Sequence, residues 1–176
     1  MSFRDMKLRR RTAILAAGLA VVLGACSAQP LYMMDPATGS SVQSALSGLQ
    51  IATVETRVAQ EVRNRLLFDL GISRSTTEPR YTMDLTVSDT ESPLGVTPVE
   101  SAPASNVTVT ATYTVRDPAS GDIVFRDTAR ASASYDLVNQ VFANERAHRD
   151  AQNRAAIAVA NDIRLQLSAA AARGVI

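Results

Sequence analysis

Tryptophan is absent from the 176 residues, and histidine, cysteine and lysine occur once each, at His148, Cys26 and Lys7. One imidazole cannot build a multi-histidine metal centre. It also stands in no nucleophile motif that would make it the base of a Ser-His-Asp triad. Set among charges in a helical stretch, His148 reads as an exposed bystander. A lone cysteine closes no disulfide. No glycine-rich phosphate loop occurs, and Asp84, Asp89 and Glu91, though close in sequence, are not marked as an acid and base pair. The sequence therefore predicts a non-enzyme with no cofactor and no metal, since nucleophile, base and orienter are never found together.

Lysine is missing from everything after residue 25, so every later cation is an arginine. Of the 18 basic and 17 acidic residues, the first 25 positions hold five (Arg4, Lys7, Arg9, Arg10, Arg11) and one (Asp5), which leaves 13 against 16. A net charge of −3 with no basic tail predicts no nucleic-acid partner. Arginine forms bidentate bonds to phosphate and carboxylate that lysine cannot. The plainer source of the bias is an Ala- and Arg-rich composition. With 46% apolar residues and seven prolines the chain is globular, and the roughly 150 residues after the N-terminal segment suit one core.

That segment has a basic head and an uncharged run from Thr12 to Leu23, too short for a bilayer span of roughly 20 residues but suited to a secretory signal. Leu23-Gly24-Ala25-Cys26 resembles the lipobox of bacterial lipoproteins. The resemblance implies a signal peptide over 1–25, lipidation of the Cys26 thiol, and a lipidated tether over 26–47. Two or three acyl chains, at about 0.8 kcal/mol per buried CH₂, make an anchor effectively permanent. Ser27 stands where an Asp usually holds such proteins back, so the predicted location is the outer membrane of a Gram-negative cell.

The domain is expected over 48–176. Gly48 to Thr56 reads as a short first strand. Thr56 is a plausible N-cap, and Val58, Val62, Leu66 and Leu70, widened by Leu67, form one helical stripe over Arg57 to Leu70, closed by Gly71. The arginines of that helix read as a solvated face, with Glu61 and Arg65 as an i,i+4 pair. Tyr81, Met83, Leu85 and Val87 alternate with polar residues to make a second strand. Asp89 to Ser105, with Pro93, Pro98 and Pro103, reads as a long loop of the functional or mobile kind. A third strand runs from Asn106 to Val115, with one face made of Thr108, Thr110, Thr112 and Thr114. Threonine is a good strand former, and an uncharged hydroxyl face also suits contact with another protein. Asp117 to Asp122 supplies turn chemistry, Ile123 to Tyr135 a fourth strand, and strands two to four an antiparallel meander. Val141 to Ala172 makes one long helix, with Ala147, Ala151, Ala155, Ala158, Ile163, Leu165 and Leu167 among its apolar positions and Gly174 at its end.

This order of elements, with Cys26, Pro30-Leu31-Tyr32, Glu61-Val62-Arg63-Asn64-Arg65-Leu66, Pro79-Arg80-Tyr81, Ala133-Ser134-Tyr135-Asp136 and Asp150-Ala151-Gln152-Asn153-Arg154-Ala155, resembles the LPS-assembly lipoprotein family LptE. The resemblance implies an α+β fold, β-α-β-β-β-α, with a four-stranded mostly antiparallel sheet and two helices packed on one face. It further implies an outer-membrane, lipid-anchored protein on the periplasmic side or within the lumen of an LptD-type β-barrel. There it would act as plug and assembly partner and assist delivery of lipopolysaccharide to the outer leaflet. The loop between strands two and three carries only Asp89, Glu91 and Glu100 as charges. Lipopolysaccharide contact is therefore assigned to Arg80, Arg116, Arg126 and Arg130. The alternative is an auxiliary lipoprotein of an ABC-type lipid transport system.

Overall fold

The computed structural model describes residues 46–72, 79–94 and 104–176. Cys26, the lipobox, the Pro30-Leu31-Tyr32 knot and nearly all of the tether lie outside the described residues. Four strands and two helices follow in the expected order: β1 (Leu49–Ile51), α1 (Arg57–Asp69), β2 (Tyr81–Leu94), β3 (Ala104–Arg116), β4 (Ile123–Asp136) and α2 (Val141–Ala172). The sheet order is β1-β2-β3-β4. The first pair is parallel and the others antiparallel, so the sheet is mostly antiparallel. β1, expected over Gly48 to Thr56, spans three residues. Its Leu49 and Ile51 face the core, and the chain leaves the sheet once Ala52 N–H has bonded Met83 C=O.

Helix α1 forms where its apolar stripe demands. The Thr56 hydroxyl accepts from Ala59 N–H at 3.3 Å, and Gly71 takes the positive φ of 62° that follows the C-cap. Val58, Val62, Leu66 and Leu70 are all buried. Its arginines lie on the solvated side, but two of them also reach other elements. Arg63 donates to the Ile51 and Ala52 carbonyls at the end of β1, and Arg57 donates to Gln152 and Asn153 of α2. Arg65 pairs forward with Asp69 at 2.8 Å instead of back with Glu61; the Asp69 carboxylate is nearly buried, so this pair is the less screened one.

The expected long loop over Asp89 to Ser105 is corrected: pairing continues to Leu94 opposite Ala104, and only 95–103 lies outside the described residues. Residues Asp89 to Leu94 have no alternation because both their faces are exposed. The β3 half of this hairpin end stays buried at Ser105, Val107 and Val109, so the exposure is that of the β2 half. At the opposite end, Asp117 accepts from Ala119 N–H and Ser120 from Asp122 N–H. Gly121 there adopts φ 77°, a value that L side chains rarely reach.

Helix α2 runs 32 residues, about 48 Å at 1.5 Å per residue. It packs on the same face of the sheet as α1. Ala151, Ala155, Ala156 and Ala160 are fully buried, and their small side chains let the helix lie close on the sheet beside Val159, Ile163 and Leu167. Ala158 and Leu165, expected among its apolar positions, point outward. Val107, Val109, Ala111, Tyr113 and Val115 of β3 form the centre of the core.

Candidate functional site

Because strand side chains alternate, burying one face of β3 under the helices turns every intervening threonine to the other. Register aligns them across strands. Thr86, Thr112 and Thr128 form one row, Ser88, Thr110 and Arg130 the next, and Thr90, Thr108 and Ser132 a third. Asp84, Thr114 and Arg126 stand on the other side of the first row. The Thr112 and Thr128 hydroxyls lie 3.2 Å apart. The result is a broad hydroxyl face that no described element covers. A two-layer α/β sandwich with one open sheet face is the class of structure these features define.

Three of the four assigned arginines share that face. Arg116 pairs with Asp84 at 3.3 Å, and Arg126 donates to the Thr114 hydroxyl at 3.1 Å. Arg130 is exposed beside Thr110. Arg80 stands apart at the entry to β2, with its guanidinium 5.6 Å from the Tyr81 ring centre. Arg116 and Arg126 thus already have partners on the face, while Arg130 is the more available to a phosphate.

The three carboxylates grouped by sequence are divided by the pleat. Asp84 is on the hydroxyl face, whereas Asp89 and Glu91 are on the helix side. Asp89 accepts from Gln152 at 2.7 Å. Glu91 accepts from the Tyr135 hydroxyl at 2.5 Å, and that bond holds its carboxyl below the usual value of 4.5. Burial, and then the bond to Glu91, push the Tyr135 phenol up.

Sequence reading missed this cluster's last member. His148 is no bystander: its side chain is 26% exposed, its ring centre is 5.8 Å from that of Tyr135, and its Nε2 is 3.8 Å from Glu91. Glu91, Tyr135, Val141, Asn144, Glu145 and His148 line an open groove of about 370 Å³. No spacing in the sequence marks it, because Glu91 lies opposite Val107 and Tyr135 opposite Ser105, one row apart on the same face.

Among the described residues no cluster of side chains fits a metal ion, and no helix is long and apolar enough to cross a membrane.

No family profile matches the chain, and no curated protein matches it. Solved structures do. A protein described as a lipoprotein from Caulobacter crescentus CB15 superposes with a TM-score of 0.63 at 23% identity, over 74% of this chain and 96% of its own. The rare lipoprotein B of Shewanella oneidensis gives 0.54 at 16%, over 71% and 95%. A minor lipoprotein of Acinetobacter baumannii gives 0.53 at 17%, over 69% and 88%. At these identities the likeness is one of fold, and the solved structures that share the fold are those of bacterial lipoproteins.

Proposed function

We propose that the chain is an outer-membrane lipoprotein, anchored through Cys26, that seats in an LptD-type β-barrel as plug and assembly partner and assists delivery of lipopolysaccharide to the outer leaflet. The role is one of binding and not catalysis. The observation that carries the reading is the uncovered hydroxyl face. Barrel lumens are polar, and a surface entering one is desolvated against another polar wall. Burying a charge costs far more than burying a hydroxyl that finds a hydrogen bond, so rows of Thr and Ser with few charges suit such a contact. The lipobox resemblance, the LptE resemblance and the lipoproteins that share the fold point the same way. Arg130, with Arg80 behind it, is the first candidate for lipopolysaccharide phosphate, ahead of Arg116 and Arg126.

Affinity purification of the tagged full-length protein from detergent-solubilised outer membranes tests this. A large β-barrel retained in stoichiometric amount through stringent washing is the expected result. Recovery of an inner-membrane transporter subunit in its place would promote the auxiliary-lipoprotein reading.

A further inference from the structure

The far end of the hairpin formed by β2 and β3 meets the first turns of α2, where Asp89 accepts from Gln152 and a second cluster gathers around Glu91. On the helix side of β2, Glu91 receives the Tyr135 hydroxyl from β4 and faces the His148 imidazole from α2. We propose that His148 is a proton-operated staple: protonated, it adds an ion pair that holds the Glu91 end of the hairpin to α2, and neutral, it leaves that end less firmly held. The inference goes beyond the proposed function and does not depend on it.

The charges around the ring support this direction. From β2 comes Glu91, half exposed and close to Nε2. From β4 comes Tyr135, a neutral donor already committed to Glu91. On α2 itself stand Glu145, one turn before His148, and Arg149, whose guanidinium is held by Glu145 at 2.8 Å. An imidazolium at this position therefore meets one carboxylate, Glu91, that no cation neutralises among the described residues. The Tyr135 bond keeps Glu91 ionised below the ordinary carboxylate range, so it stays an anion throughout the interval in which imidazoles titrate, about pH 5 to 8. Protonation then replaces a neutral ring against Glu91 with an ion pair spanning two elements. The ring's contact with Tyr135 is retained in both states.

The test is amide hydrogen exchange on the full-length protein in detergent micelles, at pH 8 and pH 5.5, with rates corrected for intrinsic exchange. Protection across 88–94 and 104–110 is expected to rise about two- to five-fold at the lower pH, the size of a partly exposed ion pair. Protection of α1 is expected to stay constant. The rise should vanish in His148→Gln and also in Glu91→Gln, whose amide keeps the Tyr135 hydroxyl partnered. Two variants guard against one of them failing to fold. Equal protection at both pH values in the unmodified protein would overturn the proposal, and so would a rise that survives either substitution.

Discussion

Tyr113 is the largest side chain in the core with no exposure, and its hydroxyl donates to Gln166 at 2.7 Å. Burial, aided by the charges of Asp127 and Asp162, drives its phenol well above the ordinary 10.0. Tyr135 is shifted the same way by burial and by Glu91. In the unfolded chain both phenols ionise near 10.0, whereas in the fold they stay neutral to higher pH. The folded state then binds more protons, so the stability linked to these groups is complete below pH 10 and is lost as pH rises beyond it. Urea midpoints measured from about pH 9 to 11.5 should fall steeply in the unmodified protein. They should fall less steeply in Tyr113→Phe, even though that variant starts about 1 kcal/mol lower from its lost hydrogen bond.

At the scale of the element, α2 shows how shape is written in small residues. Ala155 is fully buried against the sheet and Ala158, nearly one turn on, faces outward. Ala155→Leu should destabilise the protein by about 1–3 kcal/mol through overpacking, while Ala158→Leu should stay within about 0.5 kcal/mol; thermal or urea unfolding reads both. The span of α2 was legible because a long alanine-rich run of helix formers ends at Gly174. The strand alternation from Tyr81 to Val87 and from Val107 to Val115 was legible because one face of each must be buried. Where burial stops, legibility stops. Asp89 to Leu94 are exposed, so their polar sequence looked like a loop, and backbone pairing with β3, helped by the bonds that Asp89 and Glu91 accept, holds them in the sheet. The surroundings of His148 were hidden for another reason. Glu91 and Tyr135 come from other strands, and only the register of the completed sheet brings them to one helix.

For the molecule as a whole, the unequal faces of the sheet matter most. One is sealed by two helices; the other displays threonine rows, with Thr86 and Thr112 exposed. Thr86→Arg and Thr112→Arg should therefore leave the unfolding midpoint almost unchanged, within about 0.5 kcal/mol. Under the proposed function each should sharply reduce barrel recovery in the affinity purification, because a guanidinium must be desolvated where a hydroxyl stood. Loss of folding in these variants would show instead that the face supports the domain itself. The single parallel pairing has a further consequence, in time. The meander of β2, β3 and β4 and the α2 that covers it are contiguous along the chain, while β1 reaches β2 only after α1 has carried the backbone across. Loop closure of that kind slows contact formation, so pairing of β1 with β2 is expected to follow closure of the short turn between β3 and β4.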